Sequence, residues 1–210
     1  MEHAAIFNPL DKRNLGKSIV EALLESKELA LGSVKPFAGA GIYAIYYNGN
    51  FKPYASLAAL NKRSGSYPVY VGKAVPKGGR KGVAEDAALK SNALFSRLNE
   101  HRVSIESVDS LKITDFSYRC LIVDDIWIPL GESLVIQKFQ PLWNHVVEGF
   151  GNHDPGGGRY QGMRPLWDEL HPGRGWAAKC QPPKVPLSSI HSMIEGYMKT
   201  VLKKAAEDTS

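Results

Sequence analysis

The sequence predicts an α+β fold, with three short strands set among five helices. The segments 42–47, 69–72 and 115–123 are rich in β-branched and aromatic residues, as pleated, half-buried chain requires. Five other segments place apolar residues at helical spacing. The chain has 210 residues, 43% hydrophobic and 22% charged, enough for one core with added elements and too apolar for a disordered chain.

The elements follow in order. A helix is expected over 11–31: Asp11 can cap it, Leu15, Ile19, Leu23 and Leu24 share a stripe, and Gly32 lies past its end. Gly39-Ala40-Gly41 breaks the chain before the first strand, 42–47, and Asn48-Gly49-Asn50 turns it afterwards. Ala55, Leu57, Ala58, Ala59 and Leu60 suggest a short helix over 54–62. The second strand, 69–72, is stopped by Pro76 and Gly78-Gly79. A long helix over 85–103 follows, with Leu94, Leu98 and, just past it, Ile105 on one face and Phe95 beside them. The third strand spans 115–123, and a second long helix, 126–140, ends at Pro141. From 149 to 186 Gly, Pro, Trp and basic residues dominate, which predicts irregular chain ordered by Trp167 and Trp176. A last helix, 187–205, carries Ile190, Ile194, Tyr197, Met198 and Val201 on one side. The expected organisation is an N-terminal helical arm (1–38), a core (39–148), and a loop region with a C-terminal helix (149–210), the last packed with the core.

Several classes are excluded. No apolar run approaches the roughly 18–20 residues that cross a bilayer, so no membrane partner is expected. The start, Met1-Glu2-His3-Ala4, is not a basic region followed by an apolar one, so secretion is not indicated. Two cysteines, Cys120 and Cys180, cannot build a disulfide framework or a four-thiolate zinc site. The expectation is a soluble, cytoplasmic protein. Its formal charge is +5, and most of the excess sits in residues 73–102, where seven basic residues face three acidic ones. A polyanion is the natural partner of such a stretch, although a solvated basic face is the plainer reading.

Certain residues have the chemistry for a site. Glu132 falls on the same helix face as Ile128, Val135, Ile136 and Phe139. A carboxylate there needs a cation or donors; it is either salt-bridged at the core edge or a ligand for a hard metal ion. Arg97 and His101 lie four apart on the preceding helix and could hold a phosphate together, or be a surface pair without a role. Tyr43 and Tyr70 sit in strands beside glycine, where tyrosine is also common as plain packing. Lys73 follows Tyr70-Val71-Gly72, and a lysine near a phenol favours its ionised form.

Gly41-Ile42-Tyr43 followed about thirty residues later by Tyr70-Val71-Gly72 resembles the paired motif of the GIY-YIG nuclease superfamily, with Val in place of Ile in the second half. Arg97, Glu132 and Asn144, after Pro141-Leu142-Trp143, stand in that family's order, so five landmarks lie between 39 and 145. The strings Gly39-Ala40-Gly41, Tyr70-Val71-Gly72-Lys73-Ala74-Val75-Pro76, Pro141-Leu142-Trp143-Asn144 and Gly149-Phe150-Gly151-Asn152-His153-Asp154-Pro155-Gly156 resemble the type II restriction endonuclease branch, over roughly 36–180. The resemblance implies a small antiparallel three-stranded sheet flanked by helices, with loop and arm elaborations.

It also implies a mechanism: hydrolysis of DNA phosphodiester bonds with one divalent ion, Mg²⁺ or Mn²⁺, held by Glu132. Tyr43 would be the general base or proton relay, helped by Lys73 or His101, because a free phenol is a poor base at neutral pH. Arg97 would neutralise phosphoryl charge, Tyr70 would orient phosphate or water, and Asn144 would hold the site by hydrogen bonds. Lys77, Arg80, Lys81, Arg102, Arg159, Arg164 and Arg174 are the candidate DNA contacts. A homodimer on double-stranded DNA is implied, with a palindromic, GC-rich, CCGCGG-like site. The rival readings are a homing or structure-selective repair nuclease of the same superfamily, and a nucleic-acid-binding protein without catalysis.

Overall fold

A computed structural model describes residues 8, 10–76 and 87–207. Helix α1 spans Lys12–Glu25, with the Asp11 carboxylate accepting from the Arg13 N–H at 2.8 Å as its N-cap. It ends well short of the expected residue 31. The Arg119 guanidinium binds the Leu24 and Ser26 carbonyls, both at 2.6 Å, and pairs with Glu28 at 2.9 Å. A partly buried cation that satisfies the last carbonyls ends a helix as firmly as a glycine does.

The chain released there forms a two-residue strand, β1 (Leu29–Ala30), which joins the sheet as a fourth strand. The expectation of three strands is thus corrected: β1 is too short for any alternation to show. The others are β2 (Gly41–Tyr47), β3 (Tyr70–Ala74) and β4 (Phe116–Ile122). The order is β1-β4-β2-β3 and every pairing is antiparallel. Strand β2 is central and buried along its whole length, which explains its unbroken apolar and aromatic sequence. Strand β3 lies at an edge, with Tyr43 opposite Gly72 and Ile42 opposite Lys73.

Helix α2 spans Ala55–Ser64 and ends at Gly65 in the left-handed region. Beyond the undescribed stretch come α3 (Ala87–Lys90) and α4 (Ala93–Glu106), two pieces where one helix was expected. The break has a cause in the sheet: Gly39 donates to the Ser91 carbonyl and accepts from the Leu94 N–H, tying both sides of the break to the entrance of β2. Helix α5 (Ile128–Phe139) follows β4, and a single turn, α6 (Leu142–His145), follows Pro141. The irregular region contains a short α-helix, α7 (Leu166–Leu170), between two single 3-10 turns (Gly157–Arg159 and Ala177–Lys179), and α8 (Leu187–Glu207) closes the described chain.

The pleat divides the core in two. One face of the sheet carries Tyr43, Ile45 and Tyr47 against Leu94, Leu98 and Ile105 of α4, and Trp143, Phe150, Trp167 and Ile190 extend that cluster. The other face carries Ile42, Ala44, Tyr46 and Val71 against Val20 and Leu23 of α1 and Ile128 and Val135 of α5. Strand period two therefore sends Tyr43 and Lys73 to opposite faces of the sheet. Both cysteines are free.

Candidate functional site

The site begins at Tyr43, fully buried on β2. Its ring crosses the sheet to Gly72, where a Cβ would stand 2.4 Å from the Tyr43 hydroxyl. Only glycine at that point of β3 lets the phenol lie flat over the edge strand. The Tyr43 hydroxyl meets His101 Nε2 at 2.7 Å. His101 is itself buried on α4. Tyr70, two residues before Gly72 and on the same face, packs edge-on to the His101 ring at 5.1 Å between centroids.

Electrostatics set the protonation of this group. Burial raises the Tyr43 hydroxyl well above an ordinary phenol, the Tyr70 charge adds to that, and the Arg97 guanidinium opposes it. Tyr70 is raised for the same first reason, burial. Burial holds the His101 imidazole well below its usual value, and the Arg97, Arg174 and His153 charges push the same way. The resting site therefore pairs a neutral phenol with a neutral imidazole. Arg97 lies beside the pair. It donates to Glu100 at 2.6 Å, to the Gly151 carbonyl at 3.3 Å, and to the His153 ring.

Around the edge of β3 lies the second half. Lys73 donates to Glu132 Oε2 at 2.6 Å, and the Glu132 side chain is 18% exposed. This carboxylate acts electrostatically on both Tyr43 and Tyr70, raising each hydroxyl, so the two halves share one field. Lys73 is thus engaged with the acid, and His101 is the group bonded to Tyr43. Asn144 faces the backbone instead: it accepts from the Val71 N–H at 2.8 Å and donates to the Val71 carbonyl at 2.9 Å. Its amide imitates a neighbouring strand and fixes edge strand β3 in place.

The residues fit a divalent ion. Glu132 offers hard oxygen donors at a partly solvated position, where water and phosphate can complete the shell of Mg²⁺. Among the described residues no three His, Cys, Asp or Glu side chains converge.

The candidate DNA contacts divide sharply. Lys77, Arg80 and Lys81 lie outside the described residues. Arg102 is held on the surface of α4 by Asn99 and by both oxygens of Glu106. Arg159 is exposed. Arg164 pairs with Glu169 at 3.0 Å and donates to the Ala177 carbonyl. Arg174 is buried, and all five of its N–H donors bind Asp168 and the carbonyls of Gly149, Phe150 and Asn152. Sequence reasoning singled out neither Phe150 nor Gly151 as site residues, although both lie in the string Gly149-Phe150-Gly151-Asn152-His153.

No helix among the described residues is long and apolar enough to cross a membrane. No curated protein is matched by the sequence. A family model described as the Eco29kI GIY-YIG domain matches residues 35–198, which takes in the whole sheet apart from β1, both halves of the site and most of α8. With most of its length and its paired tyrosine motifs accounted for in this way, the chain belongs to the Eco29kI family of GIY-YIG type II restriction enzymes, and is a nuclease by that membership.

Proposed function

We propose that the protein is a type II restriction endonuclease that cuts both strands of double-stranded DNA at a palindromic, GC-rich, CCGCGG-like site. It acts in the cytoplasm as a homodimer within a restriction-modification system, because a twofold pair of sites matches a twofold target. Residues 39–148 form the nuclease core, and 1–38 and 149–210 are its elaborations. The observation that carries the reading is the 2.7 Å bond from the Tyr43 hydroxyl to a buried, neutral His101, beside Arg97 and in the field of Glu132.

That bond supplies a relay. Water attacks phosphorus and gives its proton to Tyr43 Oη as the Tyr43 proton passes to His101 Nε2, so no free phenolate has to accumulate. Arg97 is freed by the arriving phosphate from its bonds to Glu100 and His153 and binds the phosphoryl oxygens, whose negative charge grows in the transition state. Tyr70 orients the phosphate by hydrogen bonding. Asn144 keeps β3, and with it Tyr70 and Gly72, in register. When bound at Glu132, a single Mg²⁺ or Mn²⁺ would stabilise the leaving 3′ oxygen and offset the carboxylate charge that opposes ionisation of both tyrosines. Lys73 holds the Glu132 carboxylate in place for it.

The test is digestion of plasmid DNA with Mg²⁺, with and without EDTA, by the wild-type protein and by Glu132→Ala. Discrete fragments that require Mg²⁺ and Glu132 support the proposal, and sequencing their ends reads the site. Cleavage confined to branched or flapped DNA supports a repair nuclease instead, and binding without cleavage overturns the catalytic reading.

A further inference from the structure

Arg174 lies more than seventy residues beyond Arg97 and touches neither tyrosine hydroxyl, yet it organises the segment that closes over them. Its guanidinium lies over the rings of both Trp167 and Trp176, at 4.7 and 4.8 Å from their centroids. Asp168 meets it with both oxygens, at 2.6 Å to Nε and 2.5 Å to Nη2. The remaining donors converge on the carbonyls of Gly149 (2.9 Å), Phe150 (3.0 Å) and Asn152 (3.0 Å). Three carbonyls drawn to one cation bend residues 149–153 into a tight strap. Gly149 takes φ +110° within it, and Asn152 N–H donates back to the Gly149 carbonyl.

Each part of the strap meets a different member of the site. Phe150 stacks on His101, with centroids 4.4 Å apart and planes 19° from parallel, and packs edge-on to Tyr70 at 5.1 Å. A Cβ on Gly151 would stand 2.4 Å from the Tyr70 hydroxyl, so the backbone itself is the roof over that phenol. The Gly151 carbonyl and the His153 ring both accept from Arg97.

We propose that Arg174, with Asp168, is a positioning residue of the nuclease site, holding the 149–153 strap so that it seals His101 from water and sets Arg97 and Tyr70. This rests on the nuclease reading above. Only arginine suits the place, because five acceptors match its five fixed donors, and a lysine ammonium has three. The strap, not the cation, makes the contacts, so its effect is on geometry and on the dryness of His101.

The test compares the wild-type protein with Arg174→Lys, which keeps the charge, and with Gly151→Ala, which displaces the strap and leaves Arg174 intact. Three readouts are taken: DNA affinity, the single-turnover cleavage rate at saturating DNA, and the titration of the His101 imidazole by NMR in DNA-free protein. The groups around that ring are Tyr43 on β2, Tyr70 on β3, Arg97 on its own helix, and His153 with Arg174 from the strap side. In both variants affinity should stay within about twofold, while cleavage falls by about 10–100-fold, as sub-ångström misplacement does. The His101 titration should move upward toward an ordinary histidine as water enters. A wild-type rate and a wild-type His101 titration in Arg174→Lys overturn the proposal. If that variant fails to fold, wild-type values in Gly151→Ala overturn it. Should the wild-type protein cut no DNA, the nuclease reading falls by itself, and an unmoved His101 titration in Arg174→Lys still decides against the strap.

Discussion

Two tyrosine–histidine pairs lie in the same apolar cluster, built alike and placed differently. Tyr43 meets His101 Nε2 at 2.7 Å, and Tyr54 meets His171 Nε2 at 2.7 Å. Both histidines are buried, and burial lowers both imidazoles. The Tyr54 hydroxyl and both His171 ring nitrogens have neutral partners: Trp143 Nε1 donates to the Tyr54 oxygen at 2.9 Å, and Ser110 bonds His171 Nδ1 at 2.7 Å. Phe51, Trp143 and Trp167 enclose the imidazole. Around Tyr43 the neighbours are charged: Arg97 close by, and Glu132 acting from the far side of β3. The same two side chains make a closed structural link in one place and, in the proposed mechanism, a proton path in the other. What differs is whether ions stand beside the pair, since a proton can move only where charge can be balanced.

Removing the two phenolic oxygens should separate these roles most strongly. Tyr43→Phe should lower cleavage by about 10²–10⁴-fold with DNA binding retained, because the relay has lost its first acceptor. Tyr54→Phe should leave cleavage by the folded protein intact and lower stability by about 1–3 kcal/mol, since Trp143 Nε1 and His171 Nε2 are left unsatisfied in the core. Digestion assays and chemical denaturation of both variants check this. If Tyr54→Phe lost activity at constant stability, the two pairs would not differ in kind.

Legibility in the sequence follows the range of the interactions. Strand β2 and the faces of α4 and α5 could be read because period and composition are local properties, and they align Tyr43, Arg97, His101 and Glu132 correctly with their elements. The pairing of Tyr54 with His171 spans 117 positions and leaves no periodic trace. Strand β1 is not legible because two residues carry no alternation, nor is the Ser91–Asn92 break, because it depends on Gly39, more than fifty residues earlier. The surroundings of Arg174 are hidden for a chemical reason. An arginine in a glycine-rich loop has the composition of a phosphate contact, and only the converging carbonyls and Asp168 reveal that its donors are already taken.

Acid should strain the structural pair in a definite window. The His171 imidazole is lowered by burial to about 3, against 6.5 unperturbed. Between those values the unfolded chain binds a proton that the folded one excludes. The neutral histidine therefore contributes stability that is full above about pH 6.5 and is lost as pH falls toward 3. Melting temperatures measured from pH 7 to pH 4 should fall, and His171→Gln, although less stable at pH 7, should show a shallower decline. Equal slopes for the two proteins would mean that other groups set the acid limit and that His171 is protonated without unfolding.

Ser110→Ala makes the smallest change and the finest distinction. Ser110 is the outermost member of the structural chain, exposed at its surface side, and it bonds His171 Nδ1. Water can replace its hydroxyl there, unlike the Tyr54 hydroxyl, which is enclosed. The loss should therefore lie at the low end of about 0.5–1.5 kcal/mol, a fall of about 1–3 °C in melting temperature, with no change in cleavage rate. A destabilisation as large as that of Tyr54→Phe would mean that the chain is cooperative from Ser110 to Trp143 and that its outer bond fixes the tautomer of His171 for the whole network. A small loss would localise its strength in the buried Trp143–Tyr54–His171 segment, where no solvent can take the place of a missing partner.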